Sequence, residues 1–271
     1  MQILNLVNLE SSDIKYSISR FPDGEIQISL GEFSRKDPIA VKCRITNSEE
    51  LFLVIQVLDI LDRNDVCYQL NIYYLMGMRM DRVMDFNRPF TLKVILRMLA
   101  KYNSEDIAVF EPHSKAVYEH RLCAKYIHGL YPDGFTCADV WSHDYQIVLP
   151  DKGAIERYGL NFMGTLIICS KVRDLATGKI LETKVENPED FDGRPLMIVD
   201  DLCDGGGTFC GIAKKLEELG VTKDRLNISV THMVNPKGIE NLSKNFNHVW
   251  FTNSYKDWEN LPENVTMTKV I

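Results

Sequence analysis

Asp200 and Asp201 stand side by side in the stretch Leu196-Met197-Ile198-Val199-Asp200-Asp201-Leu202-Cys203-Asp204-Gly205-Gly206-Gly207-Thr208. Two adjacent carboxylates can accept hydrogen bonds from vicinal hydroxyls or hold a hard cation such as magnesium. The glycines after them let an anion approach the backbone with no Cβ in the way, and a helix opening there adds its N–H groups and partial positive charge. That is the chemistry of a sugar-phosphate site. Neighbouring like charges are costly unless something cationic or polyhydroxylic uses them, so a strand-end and cap role alone is the weaker reading. Other groups with chemical potential are dispersed along the chain. Lys171 and Arg173, one residue apart, share a side of an extended chain and suit an anion clamp, or else simply end a solvated strand. His113 follows Glu111-Pro112, where a structural and a catalytic role are equally open. Arg79, Asp81 and Arg82 follow an aromatic, apolar run.

The elements needed to position these groups alternate between strand and helix. Leu196 to Val199 reads as a buried parallel strand, followed by a helix from Thr208 to Leu219 that ends at Gly220. Val66 to Leu75 and Ile107 to Phe110 read as strands that deliver Arg79–Arg82 and Glu111–His113 at their carboxyl ends, where ligands sit in open α/β sheets. Ile39 to Ile45 is another strand. Thr46 or Asn47 caps the helix after it, with Leu51, Val54, Ile55, Leu58 and Leu61 as its apolar face and an end near Asn64. Pro89 fits the first turn of a second helix. Phe21-Pro22-Asp23-Gly24-Glu25, with alternation at Ile26, Ile28 and Leu30, is a turn between strands or a functional loop. Pro150-Asp151-Lys152-Gly153 is a further strand-end turn, and Leu166 to Cys169 a strand ending at Lys171 and Arg173. Asp174 to Asp192 lacks periodicity and reads as a mobile loop or a surface connection. The expected fold class is α/β with two tandem, mainly parallel domains, 1–138 and 139–271.

The balance of 31 basic against 38 acidic residues, a formal charge of −7, argues against nonspecific nucleic-acid binding. No run is long and apolar enough to span a bilayer, and Met1 to Glu10 lacks a basic leader, so a cytoplasmic protein with no membrane partner is expected. The seven cysteines form no C-x-x-C pair and read as thiols, with Cys203 in a packing role.

Taken together these segments resemble the ribose-phosphate pyrophosphokinases, the phosphoribosyl pyrophosphate synthetases. The resemblance runs from Phe21 to Tyr255 and rests on the order of several weak motifs. A D-G-E turn is matched by Asp23-Gly24-Glu25 after Phe21, and an R-Q-D-(R/K) segment by Arg79, Asp81 and Arg82, with Met80 for the glutamine. Arg88-Pro89-Phe90 matches a helix start, Glu111-Pro112-His113 a D-L-H strand end, Pro150-Asp151-Lys152-Gly153 a P-D-x-G turn, and Lys171 with Arg173 a K-x-R strand end. The D-D loop completes the series.

The resemblance implies two phosphoribosyltransferase-type domains, the first on the ATP side and the second carrying the sugar-phosphate loop. It also implies transfer of the β,γ-diphosphoryl group of ATP to the anomeric hydroxyl of ribose 5-phosphate, with magnesium and release of AMP. Arg79, Asp81 and Arg82 would then bind ATP, and Phe21, Asp23 and Glu25 would reach the ATP of a neighbouring subunit in a homo-oligomer. His113 would contact phosphate and metal, Asp151 metal or sugar, and Lys171 and Arg173 the transferred group. Asp200 and Asp201 would take the ribose hydroxyls and magnesium, and Asp204, Gly205, Gly206, Gly207 and Thr208 the 5-phosphate. Where the family reads D-T-(A/G)-G-T, this chain has Gly205 and Gly206, which adds room. ADP-ribose, converted to its 1-pyrophosphate for NAD synthesis, therefore stands beside ribose 5-phosphate as an acceptor. The chain also stops early at Thr268 to Ile271, short of most of the family's closing helix. A phosphoribosyltransferase consuming the activated sugar, or a noncatalytic family-like regulator, is the alternative; retention of Lys171 and Arg173 argues against the second.

Overall fold

The computed structural model describes residues 1–119, 126–130, 144–158, 162, 164–173 and 180–271. It divides into two compact units, Met1–Tyr131 together with Ile271, and Pro132–Val270. The boundary expected at 138/139 lies outside the described residues.

The first unit contains β1 (Gln2–Asn5), β2 (Tyr16–Arg20), β3 (Ile26–Leu30), β4 (Ile39–Ile45), β5 (Tyr68–Leu75), β6 (Asp106–Phe110) and β7 (Tyr126–Leu130). Five of these form an all-parallel sheet in the order β1-β4-β5-β6-β7, while β2 and β3 pair separately as an antiparallel hairpin. Near-continuous burial along β4 and β5 is what a parallel strand covered on both faces requires. The helix Ser48–Arg63 follows β4. Asn47 caps it by accepting from Glu50 N at 3.0 Å, and the Glu50 carboxylate accepts from Thr46 N, the residue before the cap, at 2.6 Å, a close variant of the capping box. Leu51, Val54, Val57, Leu58 and Leu61 make its buried stripe. The second helix, Thr91–Leu99, begins two residues after Pro89 and buries Leu92, Ile95, Leu96 and Leu99.

The second unit contains β8 (Gln146–Leu149), β9 (Ile167–Arg173), β10 (Ile180–Val185), β11 (Leu196–Cys203), β12 (Leu226–Met233), β13 (His248–Thr252) and β14 (Val265–Thr268). Their order is β10-β9-β8-β11-β12-β13-β14; β10 runs antiparallel to β9 and all other neighbours are parallel. Alternation along β11 divides the core between two faces. Leu196 and Ile198 join the cluster with Phe209, Ile212, Leu216 and Leu242, from the helices Gly207–Glu218 and Pro236–Asn245. Met197 and Val199 join the opposite cluster with Ala154 and Tyr158 of the helix Lys152–Tyr158. The expected unstructured stretch 174–192 is corrected in part. Residues 180–185 are β10, an edge strand whose polar composition hides its period, and Thr183 lies opposite Lys171 in the ladder. Among the described residues no helix is long and apolar enough to cross a membrane.

Candidate active site

In the second unit, parallel neighbours β9, β8 and β11 direct their carboxyl ends to one edge of the sheet. That edge gathers Lys171 and Arg173 at the end of β9, Asp151 one residue beyond Pro150 after β8, and Asp200 to Thr208 at and after β11. The chain turns directly from β11 into the helix Gly207–Glu218 through Asp204, Gly205 and Gly206. Gly206 is the helix N-cap with φ of 77°, a left-handed conformation that a side chain resists. The first-turn N–H groups have no partner within a helix and so point toward an anion placed there.

Asp200 and Asp201 are both buried, at 7 % and 1 % exposure. Arg157, from the last turn of Lys152–Tyr158, meets them both: its Nη2 lies 2.7 Å from Asp200 Oδ1 and 2.6 Å from Asp201 Oδ1. Asp200 Oδ1 also accepts from Asp201 N at 3.0 Å. Burial, reinforced by the neighbouring Asp201 charge, pushes the Asp200 carboxyl up to about 7 although Arg157 opposes the shift. For Arg157 burial disfavours the cation, yet the two aspartates outweigh it and hold the guanidinium charged. Asp151 Oδ1 accepts from Ala154 N at 3.1 Å, so this side chain caps the helix that carries Arg157.

The glycine loop is braced from behind by the helix Pro236–Asn245. Asn235 Nδ2 donates to Asp204 Oδ1 at 2.9 Å, and Asn241 Nδ2 to the Gly205 carbonyl at 2.8 Å. At Gly238 a Cβ would lie 2.2 Å from the Asp204 carbonyl oxygen, so only glycine permits this approach. Cys203 is fully buried, and burial pushes its thiol up, in keeping with a packing role.

In the first unit, neighbouring β5 and β6 bring two predicted segments to the same sheet edge. Arg79, Asp81 and Arg82 follow β5 after a turn at Gly77, and Arg82 Nε lies 3.3 Å from Asp81 Oδ1. Glu111, Pro112 and His113 follow β6. The two segments touch where His113 N donates to Met78 Sδ at 3.4 Å. Glu111 is buried with φ of 36°, an unusual conformation for a residue with a side chain and of the kind stored at functional sites. Phe21, Asp23 and Glu25 form the tip of the β2–β3 hairpin, closed by Phe21 N to Glu25 O at 2.8 Å, with Gly24 at φ of 96°. Phe21 and Glu25 line a cleft of about 910 Å³ with Phe52, Gln56 and Tyr102, and none of Arg79, Asp81, Arg82 or His113 lines it.

Among the described residues no group of three or more His, Cys, Asp or Glu side chains is disposed to hold a metal. Magnesium commonly binds through one or two carboxylates and substrate phosphates, and Asp200 with Asp201 fits an ion that arrives with nucleotide. The sequence reading did not find Arg157, Asn235, Asn241 or Gly238. Arg157 lies seven residues beyond Pro150 of the strand-end turn, and that offset is the one signal available for it.

Two units with mainly parallel sheets, an acidic pair and a glycine loop opening a helix define a phosphoribosyltransferase-type architecture, as the sequence led one to expect. No family model matches the chain. It is 28 % identical over 266 residues to ribose-phosphate pyrophosphokinase of Pyrococcus abyssi, covering 92 % of this chain and 85 % of that one. It is 26 % identical over 265 residues to the Thermococcus kodakarensis protein of the same name, covering 92 % and 89 %. The solved structure of phosphoribosylpyrophosphate synthetase from Mycobacterium smegmatis superposes with a TM-score of 0.75 at 18 % identity, over 97 % of this chain and 88 % of that one. The chain is a homologue of the ribose-phosphate pyrophosphokinases, an enzyme family, and the resemblance carried by its motifs is borne out.

Proposed function

We propose that this chain is an ATP-dependent ribose-phosphate diphosphokinase that transfers the β,γ-diphosphoryl group of ATP to the anomeric hydroxyl of a ribose 5-phosphate moiety and releases AMP. The observation that carries this reading is the acidic pair of β11 beside a glycine anion loop, on the sheet edge where β9 ends in Lys171 and Arg173. In this reading the diol of the ribose hydrogen-bonds to Asp200 and Asp201, and its 5-phosphate sits on Asp204 to Thr208 at the helix N-terminus. Held there, the anomeric hydroxyl attacks in line with the leaving AMP, a step that needs positioning and charge compensation more than covalent help. Lys171 and Arg173 compensate the charge developing on the transferred group. Arg79, Asp81, Arg82 and His113 take the nucleotide in the domain proposed for 1–138, and 139–271 takes the acceptor. Magnesium arriving with substrate phosphates would be held by one or two carboxylates of Asp151, Asp200 and Asp201 on the acceptor side, with His113 serving on the nucleotide side, and would supply further neutralisation of phosphate charge. The hairpin tip with Phe21, Asp23 and Glu25 serves the ATP of a second copy, which makes the enzyme a homo-oligomer. AMP formation from ATP, dependent on ribose 5-phosphate and magnesium, tests the reading; its absence with every 5-phosphorylated ribose tried would refute it.

A second reading concerns the acceptor alone. A Cβ at Gly205 would meet nothing within 4 Å, so the place where the family carries a hydroxyl side chain borders open space. That room supports an acceptor whose 5-phosphate is itself esterified, such as ADP-ribose. Comparing AMP release with ribose 5-phosphate and with ADP-ribose decides between them.

A further inference from the structure

The acidic pair already has a cation. Arg157 shares one nitrogen between the two carboxylates, at 2.7 Å from Asp200 Oδ1 and 2.6 Å from Asp201 Oδ1, and the three side chains are only 17 %, 10 % and 1 % exposed. Its place is built: a Cβ at Gly153 would stand 3.3 Å from Arg157 Nη1 and 3.2 Å from Asp151 Oδ1, so the missing side chain leaves room for the guanidinium beside the turn. The bridge joins segments 43 residues apart: Arg157 extends from the helix after β8, and Asp200 and Asp201 belong to β11, the parallel neighbour of β8.

We infer that Arg157 is a positioning residue, a resident counter-ion that fixes the Asp200–Asp201 pair before any ligand arrives and keeps the pair from binding a divalent cation by itself. Two adjacent buried carboxylates without it would form a strong divalent site, because their mutual repulsion is relieved by a doubly charged ion. With it, one positive charge is present from the start. The guanidinium hydrogen-bonds to Asp200 and lies within ion-pair distance of Asp201, the more buried of the two, so both carboxylates are engaged. An incoming ion must share or displace Arg157, which favours entry together with substrate phosphates over prior loading of the empty site. The significance for catalysis rests on the diphosphokinase reading; the ion-binding behaviour does not.

The test is a titration of the ligand-free, full-length chain with Mn²⁺, read by electron paramagnetic resonance and calorimetry at pH 8, with no ATP or acceptor present. Arg157→Gln is expected to bind Mn²⁺ about tenfold or more tightly than the unchanged chain, the scale on which neighbouring charges tune metal sites. Arg157→Lys, which restores the charge, is expected to return the affinity to within about threefold of the original. Equal or weaker binding by Arg157→Gln overturns the inference. If that variant does not fold, Gly153→Ala carries the test, since its methyl crowds the guanidinium while favouring the helix. A rise of about threefold supports the inference and an unchanged affinity overturns it. Because no turnover is measured, a chain lacking diphosphokinase activity would still give either answer.

Discussion

Replacing Gly238 by alanine probes the brace behind the glycine loop, and its sign separates two explanations. Gly238 lies inside the helix Pro236–Asn245, where exchange of glycine for alanine would by propensity alone stabilise by about 1 kcal/mol. The structure argues the opposite. The added Cβ would stand 2.2 Å from the Asp204 carbonyl oxygen, 3.0 Å from Cys203 Sγ and 3.1 Å from Met233 Sδ. Carbon and carbonyl oxygen normally stay at least about 3.3 Å apart, so the helix and the loop must separate by roughly 1 Å. The yielding atom is backbone, and overpacking of this kind costs about 1–3 kcal/mol. Weakening the Asn235–Asp204 and Asn241–Gly205 bonds adds about 0.5–1.5 kcal/mol for each bond lost. Set against the propensity gain, the net loss with both bonds broken is about 1–5 kcal/mol, or a melting temperature lower by several degrees at about 2–4 °C per kcal/mol for a unit of this size. Scanning fluorimetry measures the shift, and the Michaelis constant for ribose 5-phosphate should rise with it. A melting temperature above that of the unchanged chain, with the Michaelis constant intact, would refute the close approach.

Lys171→Ala should lower turnover roughly a hundredfold or more while leaving ATP binding largely intact, because a phosphate-clamping cation acts chiefly on charge that develops during transfer. Near-normal steady-state AMP release would remove Lys171 from that role. Gly206→Ala should destabilise by about 1–2 kcal/mol, since φ of 77° disfavours a side chain. Its new Cβ would also press on Leu242 at 3.3 Å, and denaturant unfolding reads the loss. Asp200 gives a pH dependence with a definite sign. Its folded pKa, raised to about 7 by burial and then by Asp201, means that the folded state holds this proton more tightly than the unfolded chain. The contribution is complete below the ordinary carboxylate range and is lost as pH rises through about 7. Asp200→Asn lacks that loss, so in chelator its stability should gain on the unchanged chain between pH 4 and pH 7.5. Melting curves that keep a constant gap would contradict the shift.

Much of the fold was legible because the decisive segments are locally self-consistent. The apolar run of β11 ends in charge and glycine, and the helix Ser48–Arg63 carries both its cap and its stripe in the sequence. The hairpin around Gly24 had turn residues where the turn requires them. What escaped is of another kind. Arg157 finds Asp200 across 43 residues and Asn235 finds Asp204 across 31, and no local period records which polar side chains will meet when distant segments pack. β10 escaped because Ile180 to Val185 mixes apolar, acidic and basic residues without alternation, as an edge strand can. Gly238 illustrates the limit most plainly: a glycine inside a helix reads as a weakness until the carbonyl pressed against it is seen.

The brace behind Asp204 to Gly206 also bears on kinetics. Ordering a backbone residue costs about 1–2 kcal/mol of conformational entropy, so three loop residues represent roughly 3–6 kcal/mol. Here Asn235, Asn241 and the Gly238 contact exact that cost during folding, so the anion proposed to bind this loop would meet a cradle already shaped. The encounter then resembles capture by a rigid host, with association limited by diffusion and charge more than by rearrangement, and discrimination among acceptors expressed chiefly in how fast each one leaves.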